Sequence, residues 1–323
     1  IDPIAAGGED YRRGLSNVTV FAEDARFVAD KALAVGDEVI TADRFVIAAG
    51  ARVAVPPIPG LSTVPFHTSD SIMRIDEVPK RLGVIGGGFI AAEMGHVFDA
   101  YGSAVTMMVR SDALLRAEDI EISRRITHAL SKRFDVRTNV TPTRVSHDGS
   151  VFQIELSTAD GTEIVEVDQL LVAVGRTPNG AQLEVGLTGV ELDDQGYVIT
   201  DETLRTSAPN VWALGDVTNN QQLKHVANYE ARICQHNLLH PDAPLTADER
   251  VVPHAVFTHP QIGTVGATEQ SLIAAGTPYV SYVQEMGDVA YGWAMRDEHG
   301  CCKLLADPAT HHILGAHIIG YQA

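Results

Sequence analysis

The run Gly86-Gly-Gly88-Phe89-Ile90-Ala91 has the spacing G-x-G-x-x-G/A. Chemistry that needs this spacing is the holding of a pyrophosphate: the first glycine permits a tight turn, the second lets backbone approach the phosphates, and the small last residue allows close helix–strand packing. Phe89 and Ile90 would open a helix whose free N–H groups and partial positive charge face the anion. A ligand-free tight turn is the alternative. In such a site the residue ending the next strand reads the ribose, roughly 20 residues on. Here Val105-Thr-Met-Met-Val109 ends in Arg110, with Arg116 following. Two guanidiniums suit a 2′-phosphate, which favours NADPH, although Asp112 keeps NADH open. A second candidate is Asp216, delivered at the end of Thr206-Ser-Ala-Pro-Asn-Val-Trp-Ala-Leu-Gly-Asp216. A carboxylate there can accept hydroxyls of a sugar-like chain, yet Asp is also a common helix cap.

Other reactive types are less promising. Cys301 and Cys302 are adjacent, a spacing that strains a disulfide, and with Cys234 they read as small packing residues. His311-His312 lacks the spaced partners of a zinc site, so no metal is expected. His225, His236 and His240 fall in or just past one helix and read as packing, capping or cofactor-adjacent residues. No G-x-S-x-G elbow occurs.

These residues need elements to position them. Helix is expected from Ile1 to Arg13, then short strands at Val18–Phe21, Ala25–Ala29, Lys31–Val35, Glu38–Thr41 and Phe45–Gly50. Pro56, Pro57, Pro59 and Pro65 mark a linker. Beyond it the pattern turns to strand–helix alternation: strand Leu82–Ile85, helix Phe89–Tyr101 closed by Gly102, strand Ala104–Val109 and helix Glu118–Phe134. Strands at Val136–Arg144, Val151–Leu156, Ile164–Val167 and Gln169–Val174 complete an α/β unit over about residues 70 to 195. A strand Val211–Leu214 and a helix Lys224–Leu239 follow. Strands at Ala255–Phe257, Val280–Val283, Gly292–Met295, Cys301–Ala306 and Ile313–Ile319 then argue an antiparallel sheet.

With 323 residues, the chain has room for about two domains at roughly 150 residues each. Its 24 basic and 42 acidic residues leave a net charge of −18, which repels phosphate backbones and argues against nucleic-acid binding. No stretch reaches the roughly 20 apolar residues of a bilayer crossing, so no membrane partner is expected. Three cysteines and no signal region imply a reducing, cytoplasmic setting. The chain starts at Ile1 without Met and stops at Ala323 just after an apolar run, so both ends read as cut from something longer.

Five ordered stretches resemble one family: Val46-Ile-Ala-Ala-Gly50, Gly86–Ala91 with Glu93, Leu171-Val-Ala-Val-Gly-Arg-Thr-Pro-Asn179, Val211–Asp216 and Val256-Phe-Thr-His-Pro-Gln-Ile-Gly-Thr-Val-Gly266. All look like motifs of the pyridine-nucleotide–disulfide oxidoreductases, the flavoprotein group of glutathione reductase and dihydrolipoyl dehydrogenase. The resemblance implies FAD and NADPH as cofactors, with Asp216 on the FAD ribityl chain, the backbone of Leu223, Lys224 and His225 near the flavin ring, and Gly50 packed against FAD. It implies that Gly175 and Arg176 lie near the cofactors, Gly175 on the NADPH side and Arg176 on the FAD side. Ala49 stands where many members have Thr, and Phe89 where some carry a Tyr over the flavin. Glu93 matches a glutamate that pairs a lysine beside flavin N5, and that lysine is absent from this chain. Within the family, Lys224–Arg232 and Gly287–Met295 most resemble the branch that reduces mycothione, a low-molecular-weight disulfide.

The expected fold is therefore α/β: two nested Rossmann-like dinucleotide-binding domains for FAD and NAD(P), part of the FAD domain missing, plus a truncated α+β antiparallel-sheet interface domain. The expected division is 1–66 for the first FAD segment, 67–195 for the NAD(P)H domain, 196–250 for the returning FAD segment and 251–323 for the interface domain. The resemblance further implies a homodimer and electron flow from NADPH through flavin to a disulfide. The family's redox cysteine pair and its proton-handling His–Glu pair are not in this chain, so these 323 residues alone are expected not to turn over. A dihydrolipoyl dehydrogenase- or mercuric reductase-like enzyme is an alternative reading. A non-catalytic dinucleotide-binding module is another.

Overall fold

The computed structural model describes residues 2–248 and 250–323, so Ile1 of the expected first helix lies outside the described residues. Eight elements frame the site, in chain order: β1 (Phe45–Ile47), β2 (Arg81–Ile85), α1 (Phe89–Ala100), β3 (Ala104–Met108), α2 (Ile120–Ser131), β4 (Gln169–Val172), β5 (Val211–Ala213) and α3 (Lys224–Leu239). The chain divides into two compact units, Ile1–Arg52 with Pro178–Ala247, and Val53–Thr177 with Asp248–Ala323.

In the first unit β1 and β5 pair in parallel, Phe45 opposite Val211 and Ile47 opposite Ala213. Strands this apolar, with Ile47, Val211 and Ala213 all buried, belong inside a layer. They share a core with Phe27, Val185, Val198 and Val217. A three-stranded antiparallel sheet, Ala25–Ala29, Ala32–Val35 and Glu38–Thr41, stands beside them in this unit.

The second unit holds a parallel sheet in the order β4–β2–β3–(Asp135–Arg137). Leu82, Val84, Met107, Leu170, Leu171 and Val172 are fully buried in it, as a sheet covered on both faces requires. Helix α1 turns Ala91, Ala92, Gly95 and Phe98 inward. Helix α2 starts at Asp119, whose side chain accepts the Glu121 N–H, and buries Ile122, Ile126 and Leu130. An antiparallel sheet of Thr141–His147, Phe152–Thr158 and Gly161–Val167 follows. The C-terminal part is a five-stranded antiparallel sheet in the order His254–Val256, Gln261–Gly266, Ile313–Gly320, Cys301–Ala306, Val280–Glu285.

Several expectations need correction. Val18–Phe21 forms no strand: Val18, Val20 and Phe21 are exposed, and without a neighbouring strand the β-branched alternation has no ladder to join. Val136–Arg144 is two strands in different sheets, because the chain turns at Asn139, whose φ is +56°. The segments ending in Gly50 and Gly175 leave the strand conformation earlier, at Ile47 and Val172. Gly292–Met295 lies in a helix, Ala290–Met295. Gly292 packs against the Met286 carbonyl, a place no Cβ could occupy, and a run of six residues is too short for periodicity to separate helix from strand. The proline-rich stretch is not a loose linker: Leu61 within it is buried, and the Pro59 carbonyl accepts the Val145 N–H at 2.9 Å.

Candidate functional site

Each unit carries a glycine turn at the end of a parallel strand. In the second unit β2 runs into Gly86, whose φ is +136° and whose N–H bonds the Met108 carbonyl at 3.1 Å. A Cβ on Gly86 would collide with the Ala173 carbonyl, and one on Gly87 would lie 2.6 Å from Val109 Cγ1. Gly88 is different: its Cβ position faces open space, so nothing in the protein requires a glycine there. Gly88 is also the N-cap of α1, and no side chain caps that helix. The first in-helix bond recorded to it is Ala92 N–H to the Gly88 carbonyl, which leaves the N–H groups of Phe89, Ile90 and Ala91 at the helix mouth. Phe89 is exposed, Ile90 half-buried and Ala91 fully buried, in keeping with its packing role. Free donors, an open backbone approach and a helix dipole together fit a pyrophosphate.

The segment after β3 is tied to this turn, since Leu115 N–H donates to the Gly87 carbonyl at 2.7 Å. It carries Arg110 and Arg116, both exposed and without a hydrogen bond or ion pair among the described residues. Gly175 follows β4 with φ +135° and nothing near its Cβ position, two residues past the Ala173 carbonyl that Gly86 abuts. Arg176 is half-buried. On α1, the Glu93 carboxylate accepts the Phe257 N–H at 2.9 Å. Burial pushes its carboxyl up, with that hydrogen bond opposing the shift.

In the first unit β5 runs into Leu214, whose N–H still bonds the Ile47 carbonyl at 3.0 Å. The chain then bends at Gly215, φ +76°, into the short helical turn Gly215–Val217 that bears Asp216. Asp216 is half-buried and makes no hydrogen bond or ion pair with a described residue, so both carboxylate oxygens are open to donors. Leu223 is the N-cap of α3, again without a side-chain cap, and Lys224 and His225 are exposed at its first turn. The turn after β1 is held from another direction: Asn179 donates from its N–H to the Gly50 carbonyl at 3.1 Å and from Nδ2 to the Ala49 carbonyl at 2.9 Å. Gly50, at φ +63°, has open space at its Cβ position. Sequence reasoning gave neither Asn179 nor Glu230 a role, although each stands in a quoted stretch. Glu230 is buried at 1% exposure and bonds the Gly215 turn.

The structure thus gathers Gly50, Asp216, Leu223, Lys224 and His225 in the first unit. It gathers Gly86 through Ala91, Glu93, Arg110, Arg116, Gly175 and Arg176 in the second. Cys234 and Cys301 are buried, and burial pushes the Cys301 thiol up to about 12. Adjacent positions on one strand also point Cys301 and Cys302 to opposite faces.

A strand–glycine–helix turn suited to a pyrophosphate, an acidic turn closing a second parallel strand pair and a C-terminal antiparallel sheet define a broad class of α/β chains with two glycine turns. Comparison narrows it. A model described as pyridine nucleotide-disulphide oxidoreductase matches residues 6–231, and that family's dimerisation-domain model matches residues 252–323. The chain is 45% identical over 334 aligned residues to mycothione reductase of Mycobacterium tuberculosis, covering 100% of this chain and 72% of that protein. It is 38% identical to mercuric reductase of Staphylococcus aureus, with 100% and 57% covered. The solved HOCl-induced flavoprotein disulfide reductase RclA of Escherichia coli superposes with TM-score 0.88 at 28% identity, over 99% of this chain and 74% of that one. The chain belongs to the pyridine nucleotide-disulphide oxidoreductase family, whose members bind FAD and NAD(P)H. Its fold is the α/β flavoprotein disulfide reductase fold, with FAD and NAD domains and a dimerisation domain. No helix among the described residues is long and apolar enough to cross a membrane.

Proposed function

We propose that this protein is an NADPH-dependent flavoprotein disulfide reductase whose acceptor is mycothione. Bound FAD would supply the two-electron centre between reduced nicotinamide and disulfide. The chain's part is to bind and orient. The Gly86–Ala91 turn, with its uncapped helix mouth and open Gly88, would hold the NADPH pyrophosphate, with Gly175 beside it. Asp216 would accept the ribityl hydroxyls of FAD, while the α3 N-terminus at Leu223, Lys224 and His225, together with Gly50 and Arg176, would complete the flavin side. Glu93 would stand near the flavin as a positioning group. Residues 1–66 and 196–250 would form FAD-domain segments, 67–195 the NADPH domain and 251–323 the interface of a cytoplasmic homodimer. Support for that last division is the dimerisation-domain match at 252–323.

The observation that carries the NADPH reading is the pair of unpartnered guanidiniums on a segment anchored to the glycine turn. Charge-assisted hydrogen bonds of about 1.5–3 kcal/mol each make a 2′-phosphate contact measurable. Arg110→Glu with Arg116→Glu should weaken NADPH binding, read as Kd, by about 100-fold or more and leave NADH binding within a few-fold. An equal loss with both coenzymes, or no change, rejects the clamp. For the acceptor, turnover of mycothione, lipoamide and Hg(II) at saturating NADPH is compared in the protein carrying the family's redox cysteine pair, which these 323 residues lack. The mycothione reading rests on the 45% identity and the mercuric one on 38%, so exclusive turnover of Hg(II) would reverse the order. A protein that purifies colourless and takes up no FAD would favour a binding module over an enzyme.

A further inference from the structure

Asp216 sits on a turn that has lost its sheet partner. Leu214 N–H is the last to bond β1, through the Ile47 carbonyl, and the next N–H, that of Gly215, has no strand left to meet. It meets a side chain instead: Glu230 Oε2, on α3, accepts it at 2.6 Å. The other oxygen of the same carboxylate, Oε1, accepts Asn219 Nδ2 at 2.8 Å. Asn219 in turn uses its Oδ1 to accept the Gln221 N–H at 3.1 Å. One buried carboxylate therefore grips the turn before and after Asp216 and reaches, through Asn219, the stretch that leads into Leu223, Lys224 and His225. Other polar groups of the turn are engaged as well. Thr218 donates to the Gly215 carbonyl from both its N–H and its Oγ1, each at 2.8 Å, and Val198 N–H donates to the Val217 carbonyl at 2.8 Å. The Asp216 side chain has no hydrogen bond or ion pair among the described residues.

A glutamate is a poor choice for a helix face buried to 1% exposure unless it has donors to satisfy. A carboxylate accepts at both oxygens, whereas an amide offers one acceptor and one donor. The Gly215 N–H and the Asn219 carboxamide NH2 that face Glu230 are both donors, a pair that a carboxylate satisfies and a glutamine does not.

We propose that Glu230 is a positioning residue for the flavin: it holds the Asp216 turn and the 221–225 segment in one geometry, so that carboxylate and helix N-terminus are presented together. This rests on the reading of Asp216 and the α3 N-terminus as FAD contacts.

The test is FAD affinity, by titrating the apoprotein and following flavin fluorescence, with thermal unfolding of the apoprotein measured alongside. Glu230→Gln turns its NH2 toward either Gly215 N–H or Asn219 NH2 and should weaken FAD binding by ~10- to 100-fold, the scale of one lost hydrogen bond to a charged group. Combining Glu230→Gln with Asn219→Asp restores a donor opposite an acceptor, and should bring FAD affinity back to within a few-fold of the parent. Asn219→Asp alone sets two carboxylates face to face and should weaken binding like Glu230→Gln. Asp216→Ala calibrates the underlying reading: if it leaves FAD affinity unchanged, that reading fails. If Asp216→Ala weakens FAD but Glu230→Gln does not, or if the swap restores apoprotein stability without restoring FAD affinity, the positioning role is wrong. Should Glu230→Gln prove unfoldable, the swap variant decides: parent-like FAD affinity supports the proposal, and a folded swap with weakened affinity overturns it.

Discussion

The two glycine turns, at Gly86 and at Gly215, follow the same rule of a parallel strand running into a helix, yet they are made rigid by different means. The Gly86 turn is closed by backbone: Gly86 N–H on the Met108 carbonyl, Leu115 N–H on the Gly87 carbonyl, and no room for a Cβ at either glycine. The Gly215 turn is looser at its glycine, where a Cβ would lie 3.3 Å from Ala227 Cβ, and it is held by the carboxylate of Glu230. One turn presents donors and suits anions. The other presents an acceptor and suits hydroxyls. Vulnerability differs accordingly: in the first it lies in the turn itself, in the second in a helix residue 15 positions away.

The supporting carboxylates differ as well. Asp119, the α2 N-cap at the end of the arginine-bearing segment, is fully buried and meets a cation, with Lys303 Nζ at 2.7 Å; Lys303 also reaches Glu269 Oε2 at 2.6 Å. Burial alone would raise the Asp119 carboxyl, but the Lys303 ammonium and the N–H groups of Glu269 and Glu121 outweigh it and hold it low. Removing the cation leaves an uncompensated buried charge. Lys303→Met should therefore destabilise the second unit by about 3–5 kcal/mol, read as a fall in the denaturant midpoint. Adding Asp119→Asn should recover part of the loss. A Lys303→Met protein of parent stability would erase the distinction between the ion-held and the amide-held carboxylate.

Next in size is the contrast between Gly86 and Gly88. Gly86→Ala forces a side chain into a strained φ and against the Ala173 carbonyl, which should cost about 2–4 kcal/mol. Gly88→Ala meets no protein atom, so stability should stay within about 1 kcal/mol of the parent while NADPH affinity falls about tenfold. Thermal unfolding with and without NADPH separates the two. If Gly88→Ala bound NADPH normally, the open space would not belong to the dinucleotide.

What could be read in advance follows from range along the chain. The Gly86 fingerprint is local, its glycines two positions apart and its helix immediately after, so its spacing alone placed the turn. Helix Lys224–Leu239 was bounded correctly because its apolar pattern is long enough to define a face. Glu230 was invisible for the opposite reason. Its partner Gly215 lies 15 residues away and Asn219 lies 11, and a glutamate in a helix looks like a solvated face until burial is known. Asn179 depends on a carbonyl 130 positions earlier. Val18–Phe21 and Gly292–Met295 failed because short β-like runs take their conformation from neighbours that local pattern does not show.

The smallest effect sharpens the comparison through pH. His254 Nε2 lies 2.9 Å from Glu118 Oε1, one residue before the Asp119 cap, in the same unit as the Lys303 ion pair. The Glu118 hydrogen bond raises the His254 pKa above its ordinary value, with burial working against it and the charge of Glu118 adding to it. A raised folded-state value means that the contribution is complete below the unfolded histidine pKa and is lost as pH climbs through the folded one. Thermal stability should therefore decline modestly between about pH 6 and pH 8, and Glu118→Gln should flatten that slope. The Gly215 turn, held by a backbone N–H and a carboxamide on Glu230, supplies the contrast. A slope that survived Glu118→Gln would assign the pH response to other groups.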